Sequence, residues 1–264
     1  MSLTCQLING LTVEISIADD PTKVSINKTN IVSIDLSPLS SLSQLKSLNL
    51  AKNKLKSVDF SQLGSIPSLE QVSVSYNPLT SIELEPLVQC KNLRMLRITG
   101  CSLGSIDLES LNELKQLEQL SIAFNNLTKL DLSPLSSCES LEILTINRNK
   151  LESINLGPLS SCSKLKTLNI GDNPLQSVDL TPLADCDNLF SLVLNKTKIK
   201  SIDLGPFENL RELKGLDLSS NRLEVIDLRP LQRSNIAEIK LYGNPTKEIL
   251  QPDTFSTTII FEDM

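Results

Sequence analysis

Acidic side chains recur every 24 residues along most of this chain, a pattern that could bind cations. They are Asp35, Asp59, Glu83, Asp107, Asp131, Asp179, Asp203 and Asp227, with Asn155 at the one interrupted position. If successive copies stack, neighbouring carboxylates lie about 5 Å apart and repel unless hydrogen bonds or a cation compensate them. Calcium takes about six to eight oxygen ligands, whereas this pattern supplies one carboxylate per repeat. We therefore favour hydrogen bonds from nearby backbone N–H groups, or from preceding serines such as Ser33, Ser57 and Ser105, over calcium.

Four cysteines share a second position of the same repeat. Cys90, Cys138, Cys162 and Cys186 occupy the place where Leu42, Leu114 and Leu210 stand in other copies. That equivalence indicates buried, reduced thiols that act as small apolar side chains. Neighbouring copies about 5 Å apart would not sterically exclude disulfides. A zinc site is not supported, because the chain has neither a CxxC motif nor a histidine. We predict no metal and no cofactor.

The residues needed for common catalytic chemistries are missing. The chain has no histidine for a Ser-His or Cys-His pair, and it contains no GxxxxGK, HExxH or GxSxG motif. Paired carboxylates could act alone, but the pattern brings no two of them into a recognisable pocket. We predict that the protein is not an enzyme.

Composition and charge narrow the class of partner and the location. The chain has 264 residues, 40% of them hydrophobic, and 25 basic against 31 acidic residues give a net charge of −6. This balance does not favour binding to nucleic acid or to an acidic membrane surface. The N-terminal residues lack a basic segment followed by a long apolar one, and no apolar stretch is long enough to span a bilayer. We expect a cytoplasmic monomer. Three glycosylation sequons, at Asn27, Asn126 and Asn195, leave a secreted protein open as an alternative.

A 24-residue repeat must position all of these side chains. One leucine recurs without insertion at Leu45, Leu69, Leu93, Leu117, Leu141, Leu165, Leu189 and Leu213. Within a repeat, Leu48 and Leu50 alternate with polar residues, which predicts a short strand with one buried face. Stacking one such strand per repeat predicts a parallel sheet.

A polar residue follows each predicted strand and can satisfy the backbone of the turn. It is Asn53, Asn77, Cys101, Asn125, Asn149, Asn173, Thr197, Asn221 and Asn244 in successive repeats. An asparagine amide can donate to and accept from turn backbone that would otherwise be buried unpaired, so stacked copies should form a ladder. We expect weaker rungs at Cys101 and Thr197.

The second half of each repeat predicts a short helical or 3₁₀ turn on the opposite side. Ser37-Pro38 is typical of a helix N-cap followed by proline in the first turn, and Ser133-Pro134 repeats it. Gln62 and Ser110 replace the proline in two repeats, where we expect less regular turns.

These columns resemble the leucine-rich-repeat family, through LxxLxLxxNxL and a second half such as IDLSPLSSC, over residues 21 to 245. The unit is most similar to the 24-residue repeats of microbial and protist proteins. The resemblance implies an α/β solenoid, a right-handed superhelix with a concave parallel β-sheet and a convex side of short 3₁₀ or helical turns and extended segments. We expect one domain over residues 1–264, with cap strands in 1–20, about ten repeats in 21–245 and a second cap in 246–264, because solenoid ends would otherwise expose core.

The resemblance also implies that a partner lies along the concave sheet. The column of residues that immediately precede the ladder includes Tyr76 and Phe124, although only 3% of the chain is aromatic. Gly100 lies between them in this column and should leave a notch. With outward residues of nearby strands they form the candidate partner-binding set: Tyr76, Met95, Arg97, Phe124, Ile143 and Arg148. The competing interpretation is an ordinary solvated surface. We predict a non-enzymatic scaffold that binds a protein partner. The alternatives are a recognition arm acting in trans with a small GTPase or effector of a signalling assembly, and a secreted or surface recognition protein.

Overall fold

The computed structural model describes residues 2–17, 22–253 and 257–261. Residues 1 and 18–20 of the predicted N-terminal cap, residue 21 of the repeats, and 254–256 and 262–264 of the predicted C-terminal cap lie outside the described residues. The strands of the described part are β1 (Ser2–Leu7), β2 (Thr12–Ser16), β3 (Lys23–Ser25), β4 (Ile31–Ile34), β5 (Ser47–Asn49), β6 (Gln71–Ser73), β7 (Met95–Arg97), β8 (Gln119–Ser121), β9 (Ile143–Thr145), β10 (Thr167–Asn169), β11 (Ser191–Val193), β12 (Gly215–Asp217), β13 (Val225–Asp227), β14 (Glu238–Lys240), β15 (Glu248–Leu250) and β16 (Thr258–Ile260).

One parallel sheet of eleven strands runs the length of the solenoid in the order β16-β14-β12-β11-β10-β9-β8-β7-β6-β5-β3. Each strand is three residues long, and its central residue, such as Leu48 or Leu96, points into the core. Neighbouring strands pair with equivalent positions opposite each other, so Leu48 lies beside Val72 and Leu96 beside Leu120. The prediction of a solenoid with a parallel sheet on one side and short 3₁₀ turns on the other is confirmed.

Equivalent buried residues of successive repeats stack in columns, and these columns together form one continuous hydrophobic core. Leu45, Leu69, Leu93 and Leu117 are each fully buried, as are their equivalents later in the chain. A fully buried leucine stabilises the fold by about 2 kcal/mol relative to an exposed one, so the register is held at every repeat.

The asparagine ladder supplies hydrogen bonds to the turn that follows each strand. In one rung, Asn149 Nδ2 donates to Ile146 O at 2.8 Å and to Ile122 O of the preceding repeat at 3.1 Å. The Asn149 Oδ1 atom accepts from the Leu127 backbone N–H at 3.1 Å. Within the described residues, no buried side-chain N or O atom lacks a hydrogen-bond partner.

Two rungs differ because their residues are not asparagine. Cys101 Sγ lies 3.7 Å from Val74 O, a weak donor contact in place of an amide one. The Leu79 N–H, which would meet an asparagine at position 101, instead donates to the carbonyl of Asn77. Leu175 makes the same local bond to Asn173, where Thr197 occupies the next rung.

Short 3₁₀ turns lie on the convex side, one in each full repeat. They are Ser37–Ser41, Ser61–Ser65, Glu85–Gln89, Glu109–Glu113, Ser133–Ser137, Gly157–Ser161, Thr181–Leu183, Gly205–Phe207 and Arg229–Arg233. In the described part of the chain, no helix is long and apolar enough to cross a membrane.

Two predictions about these turns were wrong. Leu36 occupies the N-cap of the first turn and makes no side-chain cap bond, so Ser37 is not the N-cap. The Asp35 carboxylate supplies the cap bond, because Oδ1 accepts from the Ser37 N–H at 2.9 Å. Turns without proline are also not less regular: Ser61–Ser65 and Glu109–Glu113 are five-residue 3₁₀ turns like Ser37–Ser41, whereas Thr181–Leu183 and Gly205–Phe207 contain proline and span three. Proline restricts only the start of the turn, and the short turns differ at their C-terminal ends.

Additional strands flank the repeats at both ends of the chain. An antiparallel hairpin of β1 and β2 joins the convex side through pairing of β1 with β4, and Leu3 and Cys5 of β1 are buried. β1 lies between β2 and β4, so it makes the strand hydrogen bonds to the repeats, while Val13 and Ile15 of β2 also pack against the core. At the other end, β16 extends the long sheet by pairing with β14, and β15 pairs with β13.

Candidate binding surface on the concave sheet

In each strand of the long sheet, the residue before and the residue after the buried central residue point outward. We call these two columns the concave floor; Ser47 and Asn49 of β5 belong to it, as do Met95 and Arg97 of β7. Parallel pairing sets Met95 beside Gln119 and Arg97 beside Ser121. The strand geometry therefore determines which of these side chains are neighbours.

A depression of about 500 Å³ lies on this floor between β5 and β8, and we call it the Tyr76 groove. Tyr76, Met95 and Arg97 line it together, with Lys52, Gln71 and several serine and threonine hydroxyl groups. Three of the six predicted anchors thus share one concavity.

The column that precedes the asparagine ladder has a backbone conformation that sequence spacing did not reveal. These residues all have positive φ: Lys52, Tyr76, Gly100, Phe124, Arg148, Asp172, Lys196, Ser220 and Gly243. Left-handed backbone costs a residue with a Cβ about 1 kcal/mol, so the strong core and ladder on both sides must impose it. The chain turns away from the sheet here, and the side chains of this column stand at its rim.

Gly100 does not leave the notch that the sequence predicted. The ring of Tyr76 occupies that space, since a Cβ at Gly100 would lie 2.5 Å from Tyr76 Cδ1 and 2.7 Å from Cε1. The Tyr76 side chain is still 50% exposed, so its position over Gly100 leaves half of it available to a partner.

Cations contact both exposed aromatic rings of the rim. Lys52 Nζ lies 5.6 Å from the centre of the Tyr76 ring, and the Arg148 guanidinium carbon lies 4.5 Å from that of Phe124. Arg148 Nε also pairs with Asp172 Oδ2 at 3.2 Å. These distances are within the range of cation–π attraction, which favours the observed side-chain positions.

The other three predicted anchors lie outside the Tyr76 groove. Phe124 and Arg148 contact each other farther along the same rim. Ile143 lies two strands from Met95, and both line a separate depression of about 180 Å³ at the start of the strands. The six residues therefore form three neighbouring groups on the same side of the solenoid.

The opposite rim carries features that the sequence analysis missed. Lys46 pairs with Glu70 at 2.9 Å, Arg94 with Glu118 at 3.2 Å and Lys166 with Glu142 at 2.8 Å, in a column just before the strands. Phe190 is 52% exposed in the same column. Residues of opposite charge 24 positions apart were visible in the sequence and could have identified these three ion pairs.

The carboxylates of the acidic convex column accept hydrogen bonds from backbone N–H groups. Each of seven carboxylates, and Asn155, accepts a bond from the N–H two residues later: Asp35, Asp59, Asp107, Asp131, Asp179, Asp203 and Asp227. The serine involved is the one that follows the carboxylate, as at Ser37 and Ser61, rather than the one that precedes it. The hydroxyl of Ser133, and then its backbone N–H, lower the pKa of Asp131 by hydrogen bonding. Among the described residues, no group of three or more His, Cys, Asp or Glu is arranged to hold a metal ion.

All six cysteines are free and buried. The thiols of the cysteine column face carbonyls of the preceding repeat, with Cys90 Sγ 3.2 Å from Leu63 O and Cys138 Sγ 3.3 Å from Leu111 O. Burial raises the pKa of Cys138 to about 11 and, with a further contribution from Cys138, that of Cys162 to about 12. These thiols are protonated at neutral pH and are not nucleophiles.

A family model described as "Leucine rich repeat" matches residues 22–79, 91–151, 115–175, 139–199 and 187–245 of the chain. These overlapping segments cover most of the 24-residue repeats and far more than half of the sequence. No curated protein sequence matches the chain.

Solved structures with similar folds come from several sources. A leucine-rich-repeat protein of Leptospira interrogans superposes with a TM-score of 0.77 at 22% identity, over 85% of this chain and 55% of that one. The ectodomain of the Arabidopsis thaliana membrane receptor kinase GASSHO1/SCHENGEN3, in complex with CASPARIAN STRIP INTEGRITY FACTOR 2, gives 0.69 at 27% identity, over 79% and 25%. A complex of TLR13 with ssRNA13 gives 0.68 at 20% identity, over 81% and 33%. This chain spans about half the length of the first of these proteins and a third or less of the other two.

Proposed function

We propose, from the premise that this chain belongs to the leucine-rich-repeat family, that it binds a protein partner on its concave side and catalyses no reaction. The fold supports protein-interaction scaffolds in general. The observation that carries the proposal for this chain is the exposure of two aromatic rings, Tyr76 at 50% and Phe124 at 39%, on one rim of the concave floor.

Exposed aromatic and arginine side chains are enriched where protein interfaces gain most of their binding energy. Both rings are held by contacts within the solenoid, Tyr76 over Gly100 and Phe124 against Arg148. A side chain that is already ordered loses little conformational entropy when a partner covers it. These contacts favour a preformed rim.

The chemistry of the concave floor supports binding over catalysis. The Tyr76 groove presents hydroxyl groups, amides, a thioether and two cations, and the chain contains no histidine to serve as a general base. The six thiols are buried and unavailable for attack on a substrate.

A protein is favoured over a nucleic acid as the partner because the chain carries a net charge of −6. Six free, buried thiols also fit a reducing compartment, so a cytoplasmic location is part of the proposal. We further propose that the chain acts as a monomer.

The test is affinity capture from the source organism with the wild type and the Tyr76→Ala/Phe124→Ala double variant. We expect the double variant to capture at least about tenfold less partner than the wild type. Its melting temperature should stay close to that of the wild type, because both side chains are largely exposed. Phe190→Ala is the matched control, since it removes an equally exposed ring from the opposite rim. Equal capture by the double variant and the wild type would reject the proposal.

A further inference from the structure

The charges around the Tyr76 groove deepen the proposed function and rest on it. We propose that the groove binds an acidic segment of the partner protein, with a side-chain carboxylate of that segment hydrogen-bonded to Arg97 and close to Lys52.

The groove is cationic although the chain as a whole is acidic. The charged side chains that line it within the described residues are Lys52 and Arg97, and no carboxylate is among them. The nearest acids of the opposite rim are already paired, Glu70 with Lys46 and Glu118 with Arg94. The groove therefore keeps two positive charges for a ligand.

The Arg97 side chain is oriented without being neutralised. Its Nη2 donates to Gln119 Oε1 at 3.1 Å, and Gln119 Nε2 in turn donates to Ser121 Oγ at 3.2 Å. A guanidinium has five N–H groups, so this contact leaves enough donors for a bidentate bond to a carboxylate. Arg94, three residues earlier, differs because its guanidinium already has the Glu118 carboxylate 3.2 Å away.

The rest of the lining fits a peptide better than a polyphosphate chain. Ser47, Gln71, Ser73 and Thr99 offer neutral donors and acceptors suited to a peptide backbone. Binding to a nucleic acid usually requires many phosphate contacts, and this groove has two cations with acidic side chains on the rim beside it.

The test uses a fluorescein-labelled peptide of alternating glutamate and serine, with the glutamine-serine peptide as its neutral counterpart. Fluorescence anisotropy at low ionic strength should show binding of the acidic peptide to the full chain and at least about tenfold weaker binding of the neutral one. Arg97→Gln should weaken the acidic peptide about tenfold, and Arg97→Lys should have a smaller effect because it keeps the charge but not the bidentate geometry.

Arg233→Gln is the matched control, because it removes the same charge from a convex-side turn outside the groove, where Arg233 pairs with Glu208 at 3.6 Å. It should change the affinity by less than about twofold. The proposal is overturned if R233Q and R97Q weaken the peptide equally, or if both peptides bind alike. It is also overturned if an unlabelled single-stranded RNA oligonucleotide of equal charge displaces the labelled peptide at a lower concentration than the unlabelled acidic peptide does.

Failure of this inference can be told apart from failure of the proposed function. If R97Q binds the acidic peptide as well as the wild type, the inference is wrong whatever the natural partner does. If the natural partner is captured equally by the Tyr76→Ala/Phe124→Ala variant, the proposed function is wrong even where the acidic peptide still depends on Arg97.

Discussion

The aromatic ring of Tyr76 lies over the backbone of Gly100 in the next repeat. A Cβ at Gly100 would come within 2.5 Å of Tyr76 Cδ1, closer than two carbon atoms can approach without displacement. Gly100 also has a φ of +67°, in the left-handed region. Tyr76 and Gly100 therefore form one structural unit, in which the glycine provides space for the ring at the edge of the groove.

Replacing Gly100 with alanine should displace the Tyr76 ring. We expect Gly100→Ala to lower the free energy of unfolding by about 1 to 2 kcal/mol, from left-handed backbone strain and the contact with the ring, and to weaken partner binding as Tyr76→Ala does. Urea denaturation and partner titration measure the two effects. Gly104→Ala in the same repeat is the control, because a Cβ there meets no atom within 4 Å. If G100A and G104A behave alike, the ring does not depend on Gly100.

The relation between these two residues shows what sequence spacing could and could not predict. The 24-residue register correctly made Tyr76 and Gly100 neighbours in one column. It did not reveal the positive φ of that column or the direction in which the tyrosine leans, since both depend on how the chain leaves the strand. Two glycines in the column, Gly100 and Gly243, were the available signal for left-handed backbone, but Gly100 was interpreted as a gap in the surface and Gly243 was not used.

Completing the ladder at Cys101 should stabilise the protein. An asparagine there can donate to Val74 O and Ile98 O and accept from the Leu79 N–H, the equivalents of the three bonds at Asn149. We expect Cys101→Asn to raise the free energy of unfolding by about 1 kcal/mol, measured by urea denaturation.

The reverse change tests the same explanation. Asn149→Cys leaves the Leu127 N–H without the Asn149 Oδ1 acceptor and removes two amide bonds, so it should cost about 2 kcal/mol or more. A loss of stability in C101N would show that the local bond from Leu79 to Asn77 is the better arrangement for this rung.

The acidic column should respond more to loss of its acceptor oxygen than to loss of its charge. Asn155 makes the same bond as the aspartates, since its Oδ1 accepts from the Gly157 N–H at 2.9 Å. We therefore expect Asp131→Asn to unfold at nearly the wild-type temperature at pH 7, whereas Asp131→Ala should unfold at a lower one. Added calcium should raise the melting temperature of none of the three proteins, and a calcium-dependent rise in the wild type alone would restore cation binding as the role of this column.

The lowered pKa of Asp131 also predicts the direction of a pH effect. The folded-state pKa lies below the ordinary value, so the stabilisation from this carboxylate is present above that value and is lost as the pH falls through the folded-state pKa. The Asp131→Asn variant has no proton to take up and should lose less stability than the wild type below about pH 4. Parallel acid unfolding curves for the two proteins would show that the hydrogen bonds to the carboxylate contribute no stability.

The spacing predicted the elements of the convex side better than their details. It predicted a turn in each repeat, because leucines such as Leu63 and Leu111 must be buried there with or without a proline. It assigned the cap to Ser37 because serine before proline is a common pattern, whereas Leu36 occupies the N-cap and the carboxylate of Asp35 accepts from the Ser37 N–H. The repeat identifies which residues are equivalent, and the choice between adjacent polar side chains depends on backbone geometry.

Alkaline pH should destabilise the protein through its buried cysteines. Burial raises the pKa of Cys162 to about 12 from an ordinary value of 9.0, so the unfolded chain releases this proton at a lower pH than the folded one. The stabilisation is fully present below pH 9 and is lost as the pH rises toward 12. Cys162→Ala should be less stable than the wild type near neutral pH, but its free energy of unfolding should fall less steeply above about pH 9, by about 1.4 kcal/mol per pH unit. Leu114→Ala truncates a side chain of the same column without removing a titrating group, so its curve should run parallel to the wild type. If the C162A curve is parallel as well, the thiol at this position titrates alike in the folded and unfolded chains.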